Sequence, residues 1–282
     1  AYTTALQMID RDTLNVPIDL RKIHLRLGNI YLRQKRYELA FSHYELMLAQ
    51  GPGEGVLFNT PHFEHVLDHS SSEGVIFNNI GMSYLEEKDY AEAVLWLQSA
   101  VDLSPNFFKA YVNLGGVYEA MNKEEEALDA LQRATQIQPG DSGLLRRMGR
   151  LCYELGRYRE AVEYYGKVVT LESMDGLAYY NLGLALAGTK SYETASQSLL
   201  RSIRLRPDHF EVYQSLGSVR MHQKQYLEAV EAYQQAIDLK PGEPGLYNLL
   251  GQAYLFLRSY SSAVEAFEKA LEVDPGYVKA TQ

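Results

Sequence analysis

Apolar residues recur along this chain with the spacing of amphipathic helices. In one segment Tyr111, Leu114 and Tyr118 stand three and four residues apart, and residues 247–254 repeat the same spacing. Residues with this spacing lie on one face of an α-helix, whereas a half-buried β-strand would show strict alternation. The pattern therefore predicts a series of helices, each of which buries one apolar stripe.

The helical pattern repeats itself along the chain with a constant period. Each copy carries a glycine in its first helix, and an alanine follows that glycine at a fixed distance. The glycines of six copies are Gly81, Gly115, Gly149, Gly183, Gly217 and Gly251, and the alanines are Ala93, Ala127, Ala161, Ala195, Ala229 and Ala263. An upstream copy keeps the same frame with Gly28 and Ala40. A period of about 34 residues is typical of stacked helical hairpins.

These marks resemble those of the tetratricopeptide repeat (TPR) family, and the resemblance covers nearly the whole chain. It implies an all-α fold, a right-handed α-solenoid superhelix of stacked antiparallel helix pairs with about seven repeats. The glycine and the alanine are expected where the two helices of a repeat cross, because a larger side chain there would push the helices apart. Tyrosines that recur at the turn between the helices are expected to pack rather than to take part in chemistry.

The frame of the repeats predicts how the chain is divided. The predicted segments are a remnant of an upstream repeat helix with a linker (1–20), a first repeat (21–54), an insert (55–73), six contiguous repeats (74–277) and the start of a further repeat or a cap (278–282). Because both ends resemble parts of a repeat, we expect the chain to be a fragment of a longer protein. A shortened natural cap is the alternative.

The composition argues against nucleic-acid binding, membrane insertion and a reactive thiol. The net charge of −9 argues against non-specific binding to nucleic acid or to an anionic membrane. No apolar run approaches the length of a transmembrane helix, so we expect no direct membrane insertion and a cytoplasmic protein. The single cysteine, Cys152, falls at a core position and is expected to be an inert, buried thiol.

Candidate catalytic chemistry is sparse in this sequence. It contains no glycine-rich phosphate loop, no paired cysteines and no nucleophile elbow, so we expect neither enzymatic activity nor a cofactor. The best metal candidate lies in the insert, where His62, His65 and His69 would share one face of a helix and would suit zinc. A solvated or groove-covering insert accounts for these histidines as well, and we favour it over a metal site.

The resemblance also implies a binding surface. In the TPR family the first helix of each repeat lines the concave side of the superhelix, and a fixed set of its positions points into the groove. Carried over residue by residue, those positions give the candidate peptide-binding residues Lys22, Arg26, Asn29, Asn79, Lys109, Asn113, Arg146, Arg147, Arg150, Tyr180, Asn181, Ser215 and Asn248.

Three asparagines occupy the same groove position of their repeats, namely Asn79, Asn113 and Asn181. A side-chain amide both donates and accepts hydrogen bonds, so a row of amides can hold an extended peptide backbone. Other repeats carry arginine, serine or leucine at this position, and the row is therefore broken. The alternative is that asparagine simply follows a common preference of the repeat.

The groove positions of the first four repeats also predict a local excess of positive charge. Seven basic residues face two acidic ones there: Lys22, Arg26, Arg33, Lys109, Arg146, Arg147 and Arg150 against Glu86 and Glu154. Guanidinium groups suit carboxylates and phosphates, which favours an acidic ligand. A solvated face without a ligand is the alternative.

The sequence predicts a non-catalytic scaffold that binds an extended, acidic peptide segment of a partner protein within a multiprotein complex. Nucleic acid is not expected as a partner. Two alternatives remain open, namely the targeting or substrate-recruiting arm of a larger enzyme, and a self-assembling module that forms a homo-oligomer.

Overall fold

The fold was analysed in a computed structural model of the chain. The structure describes residues 23–24, 27–28, 30–31, 34, 36–48, 72–86 and 88–276. The chain divides into two compact units, Ala1–Pro139 (unit 1) and Gly140–Gln282 (unit 2).

The described residues of both units form helices and no strands. Unit 1 contains α1 (Tyr37–Leu48), α2 (Ser72–Glu86), α3 (Tyr90–Leu103), α4 (Phe108–Ala120) and α5 (Glu124–Ile137). Unit 2 contains α6 (Ser142–Glu154), α7 (Tyr158–Leu171), α8 (Gly176–Gly188), α9 (Tyr192–Leu205), α10 (Phe210–His222), α11 (Tyr226–Leu239), α12 (Pro244–Phe256) and α13 (Tyr260–Val273). The predicted all-α fold of stacked helix pairs is confirmed in each unit.

The helices pack in pairs that follow chain order. From α2 onward, only three residues separate the two helices of a pair, so the second helix must run antiparallel to the first. Within each unit, a second helix then packs against the first helix of the following repeat, for example α3 against α4 and α9 against α10. Each repeat thus buries its second face only against its neighbour, as expected of a solenoid.

The recurring glycines lie at the helix crossings, as predicted from the repeat period. A Cβ atom on Gly217 would lie 2.5 Å from a ring carbon of Tyr233, and one on Gly251 would lie 2.6 Å from the ring of Phe267. The side chain that covers each glycine comes from the second helix, four residues after the recurring alanine. Glycine is tolerated inside these helices because the covering side chain leaves no room for a methyl group.

The turns between paired helices share a left-handed residue. Gly156 has a φ of 73° there, but Lys190 and Lys224 (62° each) and Arg258 (60°) adopt the same conformation without being glycine. Lys88 and Asn122 occupy the equivalent turns with φ values of 64° and 54°. Five turns in the described residues therefore place a side chain where glycine is normally preferred.

The recurring turn tyrosines pack against the next repeat, as the sequence predicts. Tyr192 of α9 stacks on His222 of α10 with ring centroids 4.8 Å apart, and Tyr226 of α11 stacks on Phe256 of α12 at 5.1 Å. Each stack joins the start of a second helix to the end of the following first helix. These tyrosines therefore hold neighbouring repeats together.

Some predictions fall outside the described residues. These are the remnant at 1–20, the end segment at 278–282, the groove residues Lys22, Arg26, Asn29 and Arg33, and the insert histidines His62, His65 and His69. Of the predicted insert 55–73, the structure describes only Ser72 and Glu73, which form the start of α2. The helix thus begins two residues before the repeat frame placed it.

Candidate functional site on the inner faces of the units

The first helices of neighbouring repeats are close enough to contact each other within each unit. The helix α2 contacts α4 in unit 1, and α8 contacts α10 in unit 2. Among the described helices, no pair of second helices contacts as extensively as these two pairs do. The surface that the first helices share within a unit is called its inner face here.

A chain of hydrogen-bonded amides lies on the inner face of unit 1. The Nδ2 atom of Asn113 on α4 donates to Oδ1 of Asn78 on α2 over 2.7 Å. Asn78 in turn donates from its Nδ2 to Oδ1 of Asn79 over 3.3 Å. Asn78 is buried, whereas Asn79 and Asn113 are half-buried. The sequence placed Asn79 and Asn113 in one row, and the structure connects them through Asn78.

The corresponding residues of unit 2 have different environments. Asn181 on α8 is half-buried and makes no side-chain hydrogen bond to any other described residue. Ser215 donates to the carbonyl oxygen of Glu211 over 2.8 Å, one turn back on α10. The Nδ2 atom of Asn248 is buried and has no partner within the described part of the chain. Of these candidates, Asn181 alone offers a half-exposed amide with unused donors and acceptors.

The predicted arginine cluster on α6 is largely neutralised by carboxylates. Arg146 binds Glu172 and Asp175, which lie in the link that follows α7, and its Nη2 is 2.7 Å from Oδ2 of Asp175. Arg150 pairs with Glu154 one turn later at 2.9 Å. The count from groove positions alone included neither Glu172 nor Asp175, and both lie beside Arg146.

The acidic partners of Arg146 are held in their ionised form. Hydrogen bonds from Ser142 and then from Arg146 lower the pKa of Glu172 below its usual range. Burial raises the pKa of Asp175, but hydrogen bonds from the Ala178 N–H and from Arg146 outweigh burial and lower it. Asp175 is also the N-cap of α8. The contacts among Arg146, Glu172 and Asp175 therefore stabilise the start of α8, and they also lie on the inner face.

The remaining candidates contribute less to a defined site. Tyr180 is half-buried and packs against the apolar cluster of α9 and α10, so its ring serves the core as well as the surface. Lys109 is exposed on α4, and Arg147 is half-buried on α6. Cys152 is fully buried, in agreement with its predicted place in the core.

The described residues show little sign of other chemistry. Within these ranges no three His, Cys, Asp or Glu side chains are grouped so that they could hold a metal ion. None of the described helices combines the length and the apolar character that are needed to cross a bilayer.

Solved structures with a similar fold support this view of the architecture. The crystal structure of MamA has 28% sequence identity and a TM-score of 0.56, and the match covers 57% of this chain and 95% of that one. The C-terminal part of a TPR repeat-containing protein from Cytophaga hutchinsonii has 18% identity and a TM-score of 0.64, and the match covers 90% of this chain and 96% of that one. YrrB, described as a TPR protein with an unusual peptide-binding site, matches at 19% identity with a TM-score of 0.55 over 64% of this chain and 93% of its own. The matches to the Cytophaga hutchinsonii protein and to YrrB show only that the fold is similar.

Family models match most of the chain, although no curated protein matches its sequence. Models described as "TPR repeat" or "Tetratricopeptide repeat" match residues 21–55, 81–122, 107–171, 146–210, 217–256 and 245–277. These matches, the helix pairs and the glycine crossings agree with one another. The chain belongs to the tetratricopeptide repeat family of protein-interaction scaffolds.

Proposed function

We propose that this chain is a non-catalytic scaffold that holds an extended segment of a partner protein on its inner faces. The observation that carries this proposal is the set of amides on the first helices. Among the described residues, Asn113 uses one donor and keeps its Oδ1 acceptor, while Asn181 keeps both its donors and its acceptor. Side-chain amides match the peptide groups of an extended backbone, which have no hydrogen-bond partners of their own.

The charge pattern modifies the acidic preference that the sequence predicts. An acidic segment would have to compete with Glu172 and Asp175 for Arg146, and with Glu154 for Arg150. We therefore infer that backbone contacts contribute more to affinity than charge does. Binding should weaken only modestly as the salt concentration rises, because exposed ion pairs contribute little to it.

The test is selection of a random peptide library on the chain, followed by affinity measurements on single variants. Replacing Asn181 by alanine should weaken peptides bound to unit 2 by about tenfold, the effect of losing roughly one hydrogen bond to a peptide group. Asn113→Ala should do the same for peptides bound to unit 1. Isothermal titration calorimetry measures both effects.

Exposed amides on second helices provide the controls. Gln197→Ala on α9 and Gln234→Ala on α11 remove amides of similar size that bond only within their own helices. Their affinities should equal that of the wild-type chain. If the selected peptides instead lose affinity in these controls and keep it in both asparagine variants, partners bind on the second helices and the proposal is wrong.

A further inference from the structure

A cavity of about 290 Å³ opens on the inner face of unit 2 between repeats five and six. Leu184 and Ala187 of α8, Leu199 of α9 and Val219 of α10 supply its apolar walls. The stacked rings of Tyr192 and His222 also line the cavity. This volume lies just below the usual range for small-molecule sites, so the cavity suits a side chain rather than a cofactor.

No carboxylate, lysine or arginine is among the described residues that line the cavity. Its serine hydroxyls donate to backbone carbonyls of α10, Ser215 to Glu211 over 2.8 Å and Ser218 to Gln214 over 3.1 Å. The Nδ1 atom of His222 likewise lies 2.8 Å from the carbonyl oxygen of Ser218. The side-chain amide of Gln214 also lines the cavity and makes no hydrogen bond to another described residue, but it carries no charge. A charged ligand would therefore lose its hydration in the cavity without an opposite charge to compensate.

We infer that this cavity is an anchor pocket that takes one uncharged aliphatic side chain of the segment bound on unit 2. The inference rests on the proposed function, because α8 carries both Asn181 and the pocket residues Leu184 and Ala187. Asn181 would bind the backbone of the segment, and the pocket would select one of its side chains. Alternate side chains of an extended segment point the same way, so one can enter while its neighbours stay in solvent.

The probes for the pocket are N-acetyl-leucine methylamide and its glutamate and lysine counterparts, titrated into the isotope-labelled chain and followed by amide NMR shifts. The leucine compound should shift the resonances of Leu184, Ala187 and Val219 in a saturable way. The two charged compounds should leave them unchanged. Equal shifts with all three compounds would overturn the apolar selectivity.

A matched pair of serine variants tests the location. Ser215→Leu places an aliphatic side chain at the pocket, whereas Ser198→Leu makes the same change on α9, where the serine donates to the carbonyl oxygen of Thr194 over 3.1 Å. Ser215→Leu should abolish the leucine-induced shifts and weaken the selected peptides by about tenfold or more. Ser198→Leu should change neither, and thermal unfolding of both variants shows whether they are folded.

A second pair of variants tests the wall formed by the stacked rings of Tyr192 and His222, without filling the pocket. His222→Phe keeps the stack on Tyr192, since α12 uses Phe256 against Tyr226 in the same way. His222→Ala removes the stack and should release the leucine compound, while His222→Phe should retain it. Retention in both variants would overturn the role of this wall.

The results separate the pocket from the proposed function. If selected peptides lose affinity in Asn181→Ala but bind Ser215→Leu normally, and the leucine compound shifts nothing, the pocket inference is wrong and the scaffold function stands. If no peptide is selected while the leucine compound still binds the wild-type chain and fails to bind Ser215→Leu, the apolar selectivity is upheld and the peptide-binding function is wrong.

Discussion

Replacing Gly217 by leucine is expected to lower the free energy of unfolding by about 3 kcal/mol, at the upper end of the usual cost of overpacking. A Cβ atom at this position would lie 2.5 Å from the ring of Tyr233, and that ring is fully buried. An aromatic ring has few ways to turn aside, so α10 and α11 would have to separate. Urea unfolding monitored by circular dichroism measures the change.

The control is Gly166, which lies inside α7, where a Cβ atom would meet no heavy atom within 4 Å beyond its own helix. Leucine at this site should raise the free energy of unfolding by about 0.8 kcal/mol, because leucine forms helices better than glycine. The two variants make the same substitution in the interior of a helix. If both destabilise the chain equally, close approach at the crossing is not the reason for the recurring glycine.

The second large effect is expected at Asp175. Alanine there should cost about 2 kcal/mol, because it removes both an N-cap and the partner of a half-buried arginine. The carboxylate accepts hydrogen bonds from the N–H groups of Leu177 and Ala178 over 2.9 and 3.1 Å, and from Arg146. Thermal and urea unfolding of the variant would measure the loss.

Asparagine at position 175 separates the two contributions, since it caps helices as well as aspartate does and carries no charge. The variant Asp175→Asn should therefore lose roughly half as much stability as Asp175→Ala. The pKa of Asp175 is lowered in the folded chain, so its ionic contribution is complete above the unfolded-state pKa of about 3.9 and is lost as the pH falls through the lower folded value. The difference between wild type and Asp175→Asn should hence shrink in acid. A difference that stays constant down to pH values well below about 3.9 would show that the charge of Asp175 contributes nothing.

The repeat period was sufficient to predict the fold of the repeats, because the glycine and alanine marks are local constraints on a helix crossing. The identity of the covering side chain was not evident from those marks. Tyr233 covers Gly217, Leu199 covers Gly183 and Phe267 covers Gly251, so the neighbour varies in size and shape while the glycine is constant. Which side chain turns toward a crossing depends on the packing of both helices.

The candidate site was less predictable than the fold. Counting charges only at groove positions considers each first helix separately. The carboxylates that bind Arg146 lie 26 and 29 residues further along the chain, outside that helix. The contact between Asn113 and Asn78 likewise spans 35 residues. The anchor pocket needs Tyr192 and Leu199 from a second helix, which no groove position includes. Long-range pairs of this kind become visible only when the repeats are stacked.

The left-handed turns are positions at which a single substitution can raise the stability of this chain. Lys190, Lys224 and Arg258 each adopt a conformation that costs a side-chain-bearing residue about 1 kcal/mol or more. Substitution by glycine, as at Gly156, would recover part of that energy at an exposed turn. The chain therefore has several independent sites at which its thermal stability is adjustable.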